Sequence, residues 1–323
     1  MIRALILALR PKHWVKNLVV FIGLVYGLRL PDAAALWRVF LAFCAFCAAA
    51  SAVYLINDIA DVQEDRLHPR KRHRPIASGA LPPSLALLAG VLLAAAALAL
   101  GTYLSFGEGA TAVLHQIRQQ PPPAFAPPTD ALSSPRSFVA ILAVYLVMNT
   151  AYSVRLKRVV IADVILVALG FLLRVIAGTA VIGLPVSSWL ILCTFYLATL
   201  LALTKRRGEI AMTKEAGGGR SVLREYDSHL LDLLIGLSAA AAILTYSIYT
   251  SAPETVAKFH TRNLLFTIPL VVYGVGRYLY LIYHQGKGDD PVALLFQDPH
   301  LWLILAAWIA ASALILYRGP ISV

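Results

Sequence analysis

Apolar segments of membrane-spanning length recur along this chain, near residues 15–30, 37–57, 82–106, 138–153, 159–182, 187–204, 229–250, 263–283 and 300–317. A hydrocarbon layer about 30 Å thick needs roughly 20 apolar residues of helix, and it leaves no backbone polar group a water partner. Such a chain folds as an all-α polytopic membrane protein, with about nine transmembrane helices. The run at 138–153 is short, which makes the count eight or nine. Composition agrees: of 323 residues, 59% are hydrophobic and 14% charged, and the mean hydropathy is +0.73. These values exclude an ordinary soluble domain. One transmembrane domain over 1–323 is expected, interrupted by a Pro-rich stretch at 107–137 that contains QQPPPAFAPP. That stretch reads as an extended or disordered external loop. Ala33–Ala35 follows the first apolar run as a signal-peptidase site would. The long basic region before that run, and the spans after it, favour a retained first span.

Orientation follows from Lys and Arg. With the N-terminus inside, cytoplasmic segments hold 20 of the 28 cations and external ones 7, while Arg174 falls inside a span. This asymmetry places the N-terminus and the Asp motif on the cytoplasmic side, and a multi-pass protein of the plasma membrane is expected. It also explains the net charge of +11 without any nucleic-acid partner. Three cysteines form no disulfide framework, and Cys44 and Cys47, inside an apolar helix, read as packing residues.

The chemistry is concentrated in Asn57–Gly79, NDIADVQEDRLHPRKRHRPIASG. Asp58, Asp61 and Asp65 stand at i, i+3 and i+7 and would share one face of a helix. Carboxylates so grouped repel one another unless a hard, oxygen-seeking cation neutralises them, Mg²⁺ above all. Arg70, Lys71, Arg72 and Arg74 follow, and such cations suit phosphate oxygens. The stretch therefore reads as a site for a magnesium-bound polyphosphate. A solvated charged loop is the plainer alternative, weakened by the helical phase and the membrane-edge position.

Other cytoplasmic connections add candidates. YSVRLKR contributes Tyr152, Lys157 and Arg158, where positive-inside anchoring explains the cations equally well. Asp163 and Arg174 lie eleven residues apart in the fifth span, about three turns, with Gly170 on the same face. An ionisable group at that depth faces a partner, and an anionic headgroup or a carboxylate would suit Arg174. Lys205 and Glu209 open the loop after the sixth span, and Glu209 with Asp227 could form a second acidic cluster. GGG at 217–219 is no phosphate loop, since no G-K-[ST] follows. Asp289 and Asp290 have no interpretable spacing.

NDIADVQED and RPIASG resemble the N-D-x-x-D-x-x-x-D and R-P-[LI]-A-S-G elements of UbiA-type membrane prenyltransferases, and the multi-span layout agrees. RPKHWVKN, DRLHPRKRHRPIASG, the fifth span VIADVILVALGFLLRVIAG and KRRGE look most like one branch of that family, in mycobacterial and corynebacterial cell-wall synthesis. The resemblance implies helices around a central cavity and Mg²⁺ as cofactor. It implies transfer of 5-phosphoribosyl from phosphoribosyl pyrophosphate to a polyprenyl (decaprenyl) phosphate, for arabinan and cell-wall precursors. Asp58, Asp61 and Asp65, with Asn57, would hold the metal against the donor pyrophosphate. Arg70, Lys71, Arg72 and Arg74 would bind donor phosphates, and Lys157, Arg158 and Arg174 would guide the lipid phosphate. Aromatic prenyltransferases of this family usually carry a second Asp motif after the sixth span. KRRGE and REYD stand there instead, which disfavours a prenyl pyrophosphate donor. Transfer of a prenyl group to an aromatic acceptor is the nearest alternative, and an anionic lipid or metabolite transporter is one from another class. Oligomeric state, a homo-oligomer included, is left open.

Overall fold

The computed structural model describes residues 1–67, 71–119, 132–216, 226–285, 294 and 297–317. Arg70, residues 120–131 of the Pro-rich stretch, the GGG of 217–219, and Asp289 and Asp290 lie outside the described residues. The chain divides into two compact units, Met1–Val186 and Ser187–Val323. Every regular element among the described residues is helical. Eight helices there are long and apolar enough to cross a membrane.

The first unit comprises α1 (Ile2–Leu9), a 3-10 segment (Pro11–Phe21), α2 (Ile22–Tyr26), α3 (Ala33–Ala60), α4 (Val62–Leu67), α5 (Pro83–Phe106), α6 (Glu108–Gln119), α7 (Phe138–Val154) and α8 (Ala162–Ala180). Its central element is α3, which packs on α5, α7 and the 3-10 segment. Asp32 starts it as an N-cap, accepting from the amides of Ala34 and Ala35 at 3.0 Å each. Ala42, Ala45, Ala49 and Ala52 are all fully buried at i, i+3, i+7 and i+10, a small-residue stripe that lets neighbours approach closely.

The first apolar run differs from the other spans. Instead of one long α-helix it forms the 3-10 segment and α2, and it runs antiparallel to α3. Arg10 meets Asp58, Trp14 Nε1 donates to Ser51 Oγ at 3.1 Å, Asn17 Nδ2 donates to Cys47 Sγ at 3.3 Å, and Phe21 lies 5.9 Å from Phe43, ring to ring. From 10 to 21 the segment keeps pace with α3 from 58 to 43. A 3-10 helix rises about 2.0 Å per residue and an α-helix about 1.5 Å, so both cover about 22 Å. With α2 the run reaches about 30 Å in only sixteen residues. That length is consistent with about nine crossings.

This segment rides on the backbone of α8. A Cβ on Gly178 would sit 2.0 Å from the carbonyl oxygen of Val20, and one on Gly23 would sit 2.5 Å from Thr179 Cγ2. Within the loop expected to be extended, residues 108–119 are helical. Prolines begin only at 121, so nothing in EGATAVLHQIRQ stops a helix.

The second unit holds α9 (Ser188–Ala216), α10 (Ser228–Ser251), α11 (Pro253–Phe259), α12 (Ile268–Gln285) and α13 (Pro299–Tyr317). Paired hydroxyls tie it together inside: Thr204 with Tyr278 at 2.7 Å, and Tyr246 with Thr267 at 2.6 Å. Trp308 Nε1 donates to the Tyr246 hydroxyl at 2.9 Å. Asp298 accepts from Arg277 at 2.8 Å and from the amide of Leu301 at 2.9 Å, which caps α13.

Candidate active site

The acidic motif sits where α3 ends. The helix stops at Ala60, Asp61 is its C-cap, and α4 restarts at Val62. Backbone bonds from Asp61 N to Asn57 O and from Asp65 N to Asp61 O carry the helical path through the junction. All three aspartates are buried, Asp58 to 2%, Asp61 to 6% and Asp65 to 3% exposure. Asn57 beside them is half-buried.

Cations come to this cluster from three places in the sequence. Arg74 Nη1 bridges Asp58 Oδ1 at 3.2 Å and Asp65 Oδ2 at 2.6 Å. These two carboxylates share a face, as spacing predicts. Arg10 Nη2 donates to the same Asp58 oxygen at 2.5 Å, and its guanidinium lies 4.9 Å from the Tyr54 ring centre. Lys157, only 2% exposed, pairs with Asp61 Oδ1. At the rim the exposed Arg158 meets Glu64 at 3.4 Å. Asp61 thus pairs with the 3-10 turn of Leu156–Arg158, while Asp58 and Asp65 share Arg74.

The local sequence explains how these cations are held. RPIASG forms a tight turn, with bonds from Ser78 N to Arg74 O and from Leu81 N to Pro75 O, and Gly79 adopts φ +80°, which suits glycine. Ile76 of this turn is buried with Leu55, Leu81, Ala86 and Ala8. Arg66 Nε donates to Ala77 O at 3.2 Å and ties α4 to the turn. Arg74 therefore projects from a fixed plug in the core. Arg10 sits at the break between α1 and the 3-10 segment, in a left-handed conformation with φ 54°. Pro11 next in sequence disfavours the α region at Arg10.

Other candidates fall elsewhere. Arg72 is exposed and donates to His73 Nε2 at 3.4 Å, while Lys71 and Tyr152 are half-buried. Arg174 is buried at the middle of the unit, among neutral partners. It donates to Asn17 Oδ1 at 2.7 Å, to the Tyr145 hydroxyl at 2.6 Å and to Gly170 O at 2.9 Å, with Tyr145 also 4.7 Å below it. None of these partners is a carboxylate, and they lock the 3-10 segment to α7 and α8. Lys205 and Glu209 lie on α9 of the second unit, where Glu209 accepts from Arg206 at 2.6 Å. Asp227 is the exposed N-cap residue of α10. Sequence reading gave Arg10 no role at the site, counting it toward membrane orientation and quoting it only within RPKHWVKN. Its one local signal is the Arg-Pro step at the end of α1.

Whether Mg²⁺ suits this site turns on its donors. No three His, Cys, Asp or Glu side chains among the described residues converge tightly enough to hold an ion. Asp58 and Asp65 nevertheless converge on one guanidinium nitrogen, a protein cation standing where a metal would be needed. Burial pushes the Asp65 carboxyl up, more than Arg74 beside it pulls it down. An anionic Asp65 is thus under-compensated by the protein alone. Buried carboxylates short of positive charge are hard oxygen donors that fit Mg²⁺.

Residues 18–115 match the UbiA prenyltransferase family. The decaprenyl-phosphate phosphoribosyltransferase of Mycobacterium tuberculosis is 31% identical over 96% of this chain and 93% of its own length. The enzyme of that name from Corynebacterium glutamicum is 30% identical over 98% of this chain and 87% of its own. Among solved structures, a UbiA homolog from Archaeoglobus fulgidus bound to GPP and Mg²⁺ shares the fold. Its TM-score is 0.66, its identity 19%, and the match covers 97% of this chain and 99% of that one. Apolar helices with a buried, cation-laced acidic motif at one helix end define a multi-pass membrane transferase. The chain belongs to the UbiA prenyltransferase family.

Proposed function

We propose that this chain transfers the 5-phosphoribosyl group of phosphoribosyl pyrophosphate to a polyprenyl phosphate of decaprenyl type, releasing pyrophosphate. The observation that carries the reading is the interleaving of Asp58, Asp61 and Asp65 with Arg10, Arg74 and Lys157 in one buried cluster. Relatives carrying that enzyme name along nearly their whole length support it. The 20-to-7 distribution of cations supports a cytoplasmic site, where a soluble sugar donor is available.

Asp58, Asp61 and Asp65 would hold Mg²⁺, which supplies Lewis-acid neutralisation of the charge growing on the departing pyrophosphate. The protein's part is exchange of partners. When no donor is present, Arg10 pairs with Asp58 and Arg74 with both Asp58 and Asp65. With the carboxylates holding a metal, both guanidinium forks would be available to pyrophosphate oxygens. Lys157 would pass from Asp61 to an incoming phosphate in the same way. Lys71, Arg72 and Arg158, nearer the surface, would add phosphate contacts. The acceptor is a phosphate monoester, already anionic at neutral pH, so no side chain has to remove a proton from a neutral nucleophile.

Purified protein in lipid nanodiscs should convert labelled phosphoribosyl pyrophosphate and decaprenyl phosphate to a labelled lipid, only with Mg²⁺ present. If that lipid is absent, while geranyl pyrophosphate is transferred to an aromatic acceptor, the reading is wrong.

A further inference from the structure

We infer that the first unit carries a second anion site, for the phosphate of an anionic lipid, at the opposite end of α3 from the aspartates. Arg38 and Asp58 are twenty residues apart on one helix, about 30 Å along its axis, the thickness of a hydrocarbon core. A cleft of about 270 Å³ lies at the Arg38 end, lined by Arg29, Asp32, Trp37, Arg38, Tyr103 and Gly109 among others.

Arg38 is buried to 8% exposure, and its charge has no carboxylate partner among the described residues. Nε donates to Val181 O at 2.8 Å and Nη2 to Leu104 O at 2.6 Å, carbonyls at the C-terminal ends of α8 and α5. Asp32, the acid of the cleft, is committed elsewhere. Its Oδ2 accepts from Arg29 Nη2 at 2.5 Å and Nε at 3.0 Å, and its Oδ1 accepts the two capping amides of α3. The cleft therefore carries one uncompensated positive charge, held in place by two carbonyls.

The remaining donor group, Nη1, makes no hydrogen bond to a described residue. Nη1 of Arg38 looks onto Gly109, where a Cβ would stand only 2.7 Å away. Glycine at this position keeps a side chain off the nitrogen. Two carbonyls offer only partial charge, and a guanidinium whose Nη1 has no acceptor among the described residues is suited to a phosphate oxygen.

The surroundings assign the phosphate to a lipid. Trp37 and Tyr103 line the cleft and are each 59% exposed, and Trp37 stacks on Phe40 at 5.5 Å. Phe106, at the end of α5, is 58% exposed. Exposed aromatics at the end of a membrane span mark the headgroup level, with acyl chains beside them. An anion arriving there from the bilayer keeps its chains on apolar surface while its phosphate reaches Arg38.

Native mass spectrometry of the delipidated protein, titrated with phosphatidylglycerol, tests this. The intact protein should retain one phosphatidylglycerol, and Gly109→Ala, which places a methyl group before Nη1, should weaken retention roughly tenfold. Arg38→Lys, keeping charge but losing the fork, should weaken it as well. Asp58→Asn should bind as the parent does, locating the lipid away from the aspartates. Retention unchanged in both Gly109→Ala and Arg38→Lys would overturn the site. Equal retention of phosphatidylcholine would overturn the charge argument, and displacement by millimolar inorganic phosphate would overturn the assignment to a lipid.

Discussion

Lys157 reaches Asp61 across ninety-six residues of sequence and pairs with it out of water, both side chains being less than a tenth exposed. Losing one partner of a buried pair leaves the other charged and unsolvated, at a cost of about 3–5 kcal/mol. Lys157→Met should therefore lower thermal stability strongly in EDTA. Magnesium should recover part of that loss, because a cation that binds the folded state stabilises it. Melting curves with EDTA and with Mg²⁺ measure the difference. Equal destabilisation in both conditions would mean that Asp61 does not meet the metal.

Arg10 shares Asp58 Oδ1 with Arg74 and lies against Tyr54. If it moves onto the donor pyrophosphate, Arg10→Ala removes a charge-assisted bond worth about 1.5–3 kcal/mol. The expected fall in phosphoribosyl transfer is roughly tenfold to a hundredfold. Arg10→Lys should recover only a fraction, since a point charge replaces a fork. Transfer rates at saturating lipid acceptor, compared with melting temperature, separate this from a folding defect.

Gly178 allows no side chain, since a Cβ would overlap the Val20 carbonyl. Gly178→Ala must push the 3-10 segment off α8, and overpacking of this kind costs about 1–3 kcal/mol or more. Gly79→Ala, with open space around the Cβ position but φ +80°, should cost less, about 1 kcal/mol. Unfolding in detergent should rank the two in that order.

Asp32 caps α3 and pairs with Arg29, and the amide of Ala35, followed by Arg29, holds its carboxyl below the usual value of 3.8. A depressed carboxyl stabilises the fold above its unfolded pKa and loses that contribution as pH falls through the folded one. The melting temperatures of the parent and of Asp32→Ala should differ at pH 6, by an amount reflecting about 1 kcal/mol. They should approach each other well below pH 3.8. A gap that stays constant with pH would remove the charged cap as its cause.

Residues that share a helix were legible from spacing alone. Asp58 and Asp65, seven apart, do meet on Arg74, and the apolar runs from 37 onward became helices of spanning length. Residues joined only by the tertiary fold were not legible. No local pattern ties Arg10 to Asp58 or Arg174 to Asn17, because those pairings depend on how the first run crosses α3 and α8. Arg38 was counted as an external loop cation, since its carbonyl partners lie 66 and 143 residues away. Over eleven residues, apolar periodicity does not separate three residues per turn from 3.6. The winding of the first run was therefore hidden.

That winding leaves the N-terminal strap without slack. Rewound as an α-helix, Pro11–Phe21 would shorten by about 5 Å. With Gly178 clamping one end, the shortfall would appear at the other and draw Arg10 off Asp58. The strap acts as a ruler whose length is fixed by its pitch. Its reach to the aspartates depends on how tightly it is coiled, as much as on which residues it contains.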